Sequence, residues 1–389
     1  PSDYHTGMAE SSEEEESQQQ PQEKNWTVGG LRFDCDFDEG NLGSVDRGDD
    51  GAYELRIAKD CAGTSHERRS STWFYFSVRD VRGAADDDSE VSEAQPAATE
   101  AANTRRRKIK FRIVGMNKQG ALYRHGMKPV VRSLARKKEA GSVDCWSSLE
   151  GEGGWERYKD KIAYRETSDK TAELSWDWQF GPNDEFEFAF CQPYTFAEAT
   201  ATLDQIVKEH ERPEPSSSGG DTTTIPADDD REIVVWRETL CRSAQGRKVE
   251  MLTITDRFGA SEEEEGCLGE FLFDGEDDGK WLFPEVHQGA ARRPLVFPEK
   301  PEVLISARVH PGETPGSFVH DGLLELLLRK DDPRATVLRR RYVWRFVPML
   351  NPDGVVHGHY RHDSFGMNLN RVYWPKPDWR RHAAQTALM

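Results

Sequence analysis

The stretch that decides the fold runs from Glu302 to Arg371. Its first 27 residues, 302–328, read EVLISARVHPGETPGSFVHDGLLELLL. Its apolar run at 302–308 predicts a strand, and the polar loop at 309–315 leads into a helix predicted from Pro315 to about Leu328. Residues 342–347 predict a second strand. A strand–helix–strand crossover of this length makes the two strands parallel. Polar residues that follow the strands therefore lie at one edge of the sheet, where ligands tend to bind in α/β proteins.

His310 and Glu313 lie in the loop after the first of these strands, and Pro311 and Gly312 between them exclude a helical turn. An imidazole and a carboxylate in such a loop can converge on one metal ion. Zinc is the ion expected for nitrogen and oxygen ligands with an open position for water. Taken alone, His-x-x-Glu is a common pattern, and a purely structural role is its ordinary explanation.

The helix after this loop makes a functional reading stronger. Thr314 is a good N-cap residue and Pro315 a good first helical residue, so the loop is tied to the start of a helix. Metal sites need such rigid support. The apolar residues expected to face the sheet are Phe318, Leu323, Leu326 and Leu327.

Further polar residues follow the second strand. Asn351-Pro-Asp-Gly354 is a turn signature that needs no function of its own. Arg361 comes ten residues after Asn351, and the pair Asn370–Arg371 comes after a further nine. Arginine suits the binding of a carboxylate or of a developing oxyanion, although any one of these arginines alone is more often a surface charge.

Composition excludes several classes of partner. The 389-residue chain has a net charge of −18, which argues against nucleic acid as the default partner. Residues 301–389 are an exception, because they hold 13 Lys or Arg against 9 Asp or Glu, which suits an anionic ligand. No apolar run is long enough to cross a membrane. The six cysteines are widely spaced, which favours reduced thiols over a disulfide framework.

The chain divides into four predicted parts. Residues 1–24 predict a disordered acidic tail, and 213–230 a Ser/Gly/Asp-rich linker. Residues 25–212 predict an antiparallel β-sandwich-like domain, with an insertion at 84–103, because short runs alternate between apolar and polar residues. A helix at 195–212 closes this domain. Residues 231–389 predict an α/β domain that opens with a hairpin around Gly246. The tryptophans at 146, 155, 176 and 178 are expected mainly in the core, with a binding surface as the alternative.

Other enzyme classes are poorly supported. The Gly-Lys pair at 279–280 is followed by Trp281, so the spacing of a phosphate-binding P-loop is missing. No nucleophile-elbow pattern indicates a serine or cysteine hydrolase.

The motifs from His310 to Arg371, taken in order, resemble the zinc metallocarboxypeptidases, and specifically the cytosolic carboxypeptidase branch. The resemblance includes His310-Pro-Gly-Glu313, Asn351-Pro-Asp-Gly354, Tyr360-Arg361 and Asn368-Leu-Asn-Arg371. Upstream, Trp73-Phe-Tyr-Phe76 is similar to the N-terminal domain of that branch. The fold it implies is an α/β catalytic domain with a mixed, carboxypeptidase-like sheet, incomplete in this chain.

The resemblance also implies roles for individual residues. His310 and Glu313 would be two of three protein ligands of one zinc ion. Arg361 would polarise the scissile carbonyl and hold the oxyanion, while Asn370 and Arg371 would bind the terminal carboxylate of the substrate. Zinc-bound water would attack the carbonyl.

The implied reaction is removal of glutamate, C-terminal or at a branch point, from polyglutamylated proteins such as tubulin. The partners expected are glutamylated tubulin or other acidic protein tails, with no nucleic acid and no membrane. The implied location is the cytoplasm, with a cytoskeletal association. Neither the oligomeric state nor the choice between the two kinds of glutamate follows from the sequence.

The chain departs from the family pattern near its end. The family requires a third zinc ligand, a histidine, and a later catalytic glutamate. His382 is the only histidine after Arg371 and its surroundings do not match, and no glutamate follows Glu325. We therefore expect a C-terminally truncated and inactive chain. The alternative to a deglutamylating enzyme is a catalytically inactive fragment that acts as a tubulin- or protein-binding module.

Overall fold

The computed structural model describes residues 23–81, 106–134, 154–168, 170–210, 233–266, 293–374, 378 and 381–389. The predicted insertion at 84–103, the linker at 213–230, Trp146 and nearly all of the predicted acidic tail lie outside these residues. The boundaries of the four predicted parts remain predictions.

The N-terminal part of the chain forms two sheets. The first has all its pairs antiparallel, in the order β1–β2–β5–β11–β7–β8, and the second has the order β3–β4–β6–β10–β9. One pair of the second sheet, β4 with β6, is parallel, which the alternating pattern did not indicate. The strands are β1 (Asn25–Val28), β2 (Leu31–Asp34), β3 (Ser44–Arg47), β4 (Tyr53–Arg56), β5 (Tyr75–Asp80), β6 (Arg107–Asn117), β7 (Val130–Ser133), β8 (Glu156–Arg157), β9 (Ala163–Glu166), β10 (Thr171–Phe180) and β11 (Glu185–Ala189).

An aromatic core joins the inner faces of these two sheets. Phe111 on β6 lies at its centre, with ring centroids 6.1 Å from Phe33, 5.5 Å from Trp176 and 5.4 Å from Phe188. Trp176 is buried, and Trp155 and Trp178 pack against the same core, so these three tryptophans have the expected packing role. The predicted sandwich-like arrangement is confirmed.

The C-terminal part is built on a mixed sheet with the order β12–β13–β15–β14. Its strands are β12 (Ile233–Arg242), β13 (Lys248–Asp256), β14 (Glu302–Ser306) and β15 (Val343–Val347). The first two form the predicted antiparallel hairpin, and Gly246 has a φ of 80° in its turn. β14 and β15 are parallel, with Ser306 opposite Val347, as the crossover predicted.

The helices are α1 (Gly120–Arg124), α2 (Phe196–His210), α3 (Pro315–Leu328), α4 (Pro333–Arg341), α5 (Pro352–Val356), a 3-10 turn (Leu369–Arg371) and α6 (Ala383–Leu388). The bounds of α3 match the prediction, whereas α4 had not been predicted. Among the described helices, none combines the length and the apolar character needed to span a membrane.

Helix α3 covers the mixed sheet, although its buried face differs slightly from the expected one. Leu324 and Leu327 are the buried leucines and share a core with Phe346 on β15. Leu323 lies at the margin of this core and Leu326 is half-buried. Phe318 packs instead on Tyr194, with ring centroids 5.4 Å apart.

Two predictions about local structure were wrong in detail. Thr314 precedes α3, but its side chain makes no capping hydrogen bond, and its hydroxyl donates to the Gln192 carbonyl oxygen at 2.7 Å. Asn351 begins the short helix α5 rather than an isolated turn, since its Oδ1 accepts from the Gly354 amide at 3.0 Å. The Thr314 side chain thus joins the loop to a segment 122 residues away, whereas Asn351 stabilises the start of its own helix.

Phe111 offers a test of the N-terminal core. Because its ring is fully buried among other aromatic rings, Phe111→Ala should lower the free energy of unfolding by about 3–5 kcal/mol. Denaturant-induced unfolding followed by tryptophan fluorescence measures this loss. Leu122→Ala, at a site that is 43% exposed, should change it by less than about 0.5 kcal/mol. Equal losses for the two variants would contradict the assigned core.

Candidate active site

The loop after β14 begins with an unusual backbone conformation. Arg308 has a φ of 56°, in the left-handed region that side chains other than glycine rarely adopt. Its buried guanidinium donates to the Pro311 carbonyl oxygen at 2.9 Å and to the Tyr194 carbonyl oxygen at 2.6 Å. Arg308 also forms an ion pair with Glu39, and both side chains are nearly inaccessible to solvent. This network fixes the turn that presents His310.

Glu39 reaches this turn from the N-terminal part of the chain. Burial raises the pKa of its carboxyl to about 7, and the Arg308 guanidinium acts in the opposite direction. The other Glu39 carboxylate oxygen accepts from the Tyr194 amide at 3.0 Å. The β-sandwich therefore supplies part of the support for the loop.

His310 and Glu313 converge, as the sequence predicted. Their Nδ1 and Oε1 atoms are 3.2 Å apart. His310 is buried, whereas the Glu313 side chain is 53% exposed, so the pair faces the solvent from its glutamate side.

Asn368 orients the imidazole of His310, a role that sequence reasoning missed. Its Oδ1 accepts from the Asn370 amide at 3.1 Å and lies 3.0 Å from His310 Nε2. The hydrogen bond from the Asn370 backbone N–H identifies this Asn368 atom as the oxygen. His310 Nε2 is therefore the donor in its contact with Asn368. The repeated asparagines of Asn368-Leu-Asn370 were the available signal.

This tautomer bears on metal binding. With Nε2 donating to Asn368, His310 directs its Nδ1 atom toward a carboxylate oxygen of Glu313 at 3.2 Å, so the two atoms converge on one position. Donation of the other ring N–H to a second residue is typical of metal-binding histidines. The two side chains therefore fit a zinc ion as ligands.

A third ligand is not found nearby. Among the described residues, no group of three or more His, Cys, Asp or Glu side chains is arranged to hold a metal ion. His382 lies at the start of α6, buried, with neither ring nitrogen hydrogen-bonded. That His382 is not a ligand remains a prediction.

Arg361 lies beside the pair. Its Nη1 atom is 3.3 Å from Glu313 Oε1, the same oxygen that approaches His310. Gly312 makes this proximity possible, because a Cβ there would lie 2.7 Å from the Tyr360 ring. The Gly312 amide donates to the Tyr360 carbonyl oxygen at 3.0 Å. The structure thus brings His310, Glu313 and Arg361 together.

Asn370 and Arg371 lie in the 3-10 turn and are exposed. The Arg371 guanidinium donates to the Asn370 carbonyl oxygen at 2.9 Å. The turn is joined to the pair through Asn368, which places these two residues in the same region as the pair.

A cleft of about 860 Å³ opens at Glu313. Gly312, Pro315 and Tyr360 line one wall, and Leu122 and Met127 from the α1 region line the other. The cleft is lined mainly by apolar surface, and Glu313 is among its lining residues. It is large enough to admit a peptide segment beside the pair.

Two family models match the chain, and they match its two halves. The zinc carboxypeptidase family matches residues 230–388. The cytosolic carboxypeptidase N-terminal domain matches residues 33–190. The chain belongs to the cytosolic carboxypeptidase family. The predicted resemblance is confirmed.

Relatives within the cytosolic carboxypeptidase family include cytosolic carboxypeptidase-like protein 5 of Homo sapiens, which is 36% identical over 382 residues, 92% of this chain. Cytosolic carboxypeptidase 6 of Mus musculus is 30% identical over 355 residues, 90% of this chain. The chain spans 36% of the length of the first protein and 48% of the second.

Solved structures share the fold. A putative carboxypeptidase A from Shewanella denitrificans has a TM-score of 0.53 at 19% identity, covering 92% of this chain and 64% of that protein. A metallo-carboxypeptidase from Burkholderia cenocepacia has a TM-score of 0.52 at 20% identity, covering 92% of this chain and 65% of that protein. The carboxypeptidase-like fold expected for the cytosolic carboxypeptidases is confirmed.

Asn368 provides a test of the metal-binding pair. Asn368→Ala removes the acceptor that fixes the His310 tautomer, and loss of such a partner typically lowers metal affinity about 10–100-fold. Competition with a chromogenic zinc chelator, using the full-length protein, measures the affinity. Asn370→Ala is the matched control, because the hydrogen bonds of Asn370 in this region use its backbone. An Asn368→Ala affinity equal to that of the control would remove Asn368 from the site.

Proposed function

We propose that the full-length protein is a zinc-dependent carboxypeptidase that removes glutamate, C-terminal or at a branch point, from polyglutamylated proteins such as tubulin. The observation that carries this proposal is the approach of His310 and Arg361 to the same oxygen of Glu313, a residue that lines the cleft. Membership of the cytosolic carboxypeptidase family supports the reaction class. We further propose that it acts in the cytoplasm, in association with the cytoskeleton.

Each residue of the site has a proposed role. His310 and Glu313 bind one zinc ion, which when bound supplies Lewis acidity and an activated water. Arg361 lies where its guanidinium can hold the scissile carbonyl oxygen as negative charge develops on it. Asn370 and Arg371 bind the terminal carboxylate of the substrate.

The charge of the segment suits an acidic substrate. Residues 301–389 carry 13 Lys or Arg against 9 Asp or Glu, in a chain whose net charge is −18. Arg371 is exposed and Arg361 is partly exposed. A local excess of positive charge attracts a polyglutamate tail even though the whole chain is acidic.

We also propose that the 389-residue chain is inactive by itself. Only two ligands meet within its described residues, and no glutamate follows Glu325 to act as a general base. The second candidate function follows from this observation: the chain binds tubulin or another protein without hydrolysing it. Co-sedimentation with glutamylated microtubules, with no release of glutamate, would favour this candidate.

The arginines distinguish turnover from substrate binding. In the full-length protein, Arg361→Ala should lower kcat for glutamate release by about 10²–10³-fold, because the interaction strengthens in the transition state. Arg371→Ala should chiefly raise KM, because the terminal carboxylate is bound before and during reaction. Release of free glutamate from linear and branched polyglutamate peptides and from glutamylated tubulin gives both constants.

The control for this pair is Arg334→Ala. Arg334 is exposed, pairs with nearby Asp332 and does not line the cleft, so neither constant should change. If the wild-type full-length protein binds zinc yet releases no glutamate from any of these substrates, the proposed reaction is wrong.

Zinc stoichiometry tests the incomplete site. The 389-residue chain, purified and dialysed against a weak chelator, should retain far less than one zinc per chain, because two ligands bind the ion weakly. His310→Ala should abolish the residual binding seen by calorimetry. One tightly held zinc per chain, found by elemental analysis, would contradict the proposal that this chain lacks a ligand.

A further inference from the structure

A buried carboxylate from the N-terminal part of the chain contacts the loop that carries Arg361. Asp60 follows β4 and is 1% exposed. Its Oδ1 accepts from the Tyr360 amide at 2.7 Å, and its Oδ2 accepts from the Arg361 amide at 2.9 Å and the His362 amide at 3.0 Å. The His362 ring adds a contact from Nδ1 to Oδ2 at 2.8 Å. One side chain thus binds three consecutive backbone amides.

These hydrogen bonds account for the burial of the carboxylate. A buried charge is costly unless it is paired or hydrogen-bonded, and hydrogen bonds from amides to an ionised carboxylate are among the stronger ones in proteins. In the described part of the chain, no Lys or Arg forms an ion pair with Asp60, and its ionic contact is with His362. The negative charge of Asp60 is therefore stabilised by hydrogen-bond donors of residues 360–362.

Neighbouring contacts extend the same interface. The Cys61 amide donates to His359 Nε2 at 3.1 Å, and the Arg68 side chain donates from Nε to the Gly366 carbonyl oxygen at 2.6 Å. Asn41 donates from Nδ2 to the Gly358 carbonyl oxygen at 2.8 Å. The loop carrying Arg361 is held along its length by residues of the N-terminal part.

The contact matters because Arg361 is on a loop. Loop backbones are mobile unless they are tied down, and a displacement of about 1 Å at a reacting group can cost about 100-fold in rate. Asp60 fixes the amides on both sides of the Arg361 Cα, so the guanidinium keeps its position 3.3 Å from Glu313.

We propose that Asp60 is a positioning residue for Arg361, and that the N-terminal β-sandwich is thereby part of the catalytic apparatus. The proposal rests on the proposed function, because it assigns Asp60 an effect on the reaction. Among the described residues, Asp60 forms no hydrogen bond to His310 or Glu313, and it acts through the backbone of residues 360–362.

The kinetic test uses Asp60→Asn in the full-length protein. The amide keeps the size of the side chain but turns an N–H₂ group toward at least one of the backbone donors, so kcat for glutamate release should fall about 10–100-fold while KM changes less than about twofold. Asp80→Asn is the matched control: Asp80 is also fully buried in the sandwich and pairs with Arg107 at 3.3 Å, away from the loop. This variant can lose stability but should keep its kcat.

A double-mutant cycle separates positioning from a general structural effect. If Asp60 acts through Arg361, Asp60→Asn should cause little further loss of kcat in an Arg361→Ala background. Fully additive losses, or an equal loss of kcat in Asp80→Asn, would overturn the proposal.

Hydrogen–deuterium exchange gives a readout that does not need activity. In Asp60→Asn the amides of residues 360–362 should exchange at least tenfold faster than in the wild type, with no change in Asp80→Asn. Unchanged exchange would overturn the proposal even if activity falls. If the wild type releases no glutamate, the proposed function fails, whereas the exchange result still decides whether Asp60 holds the loop.

A second variant covers a failure of Asp60→Asn to fold. His362→Ala removes one of the four donors to Asp60 and leaves the carboxylate in place. It should accelerate exchange at residues 360–362 and lower kcat about threefold to tenfold. If neither quantity changes, the proposed role of Asp60 is wrong.

Discussion

Strands β14 and β15 run parallel, with Ser306 opposite Val347, and the chain therefore leaves both strands at the same edge of the sheet. The loop after β14 carries His310 and Glu313. The segment after β15 leads through α5 to Arg361. Helix α3 makes this arrangement possible, because it returns the chain across the sheet and buries Leu324 and Leu327 against it. Every residue of the candidate site depends on this one pairing.

Much of this region could be predicted because its signals are local. The strand before His310 is an apolar run, and the helix after Glu313 begins with a proline at its first position. Helix α4 was missed, since its sequence is dominated by arginines and its one fully buried charged side chain, Arg339, gives no apolar stripe. Thr314 was misjudged because its hydroxyl binds the Gln192 carbonyl, a partner far away in the sequence.

The support of the site was not predictable in this way. Glu39 and Asp60 are single acidic residues in the β-rich half, and nothing in their local sequence indicates that they bind Arg308 and residues 360–362. Asn368 belonged to a recognised motif and its turn is local, but its contact with His310 joins residues 58 apart in the sequence, which the motif does not indicate. Contacts between distant segments follow from packing of the whole chain, which periodicity and turn signals do not report.

The two parts of the site differ greatly in the length of chain that their contacts enclose. His310 and Glu313 are three residues apart, whereas Asp60 and Arg361 are separated by 301. Closing a long loop costs more entropy, and contacts of large sequence separation form late in folding. We therefore expect the histidine–glutamate pair to assemble with its own strand and helix, and the arginine to become ordered only when the sandwich docks. Before the sandwich docks, a folding chain would therefore contain the His310–Glu313 pair without an ordered Arg361 beside it.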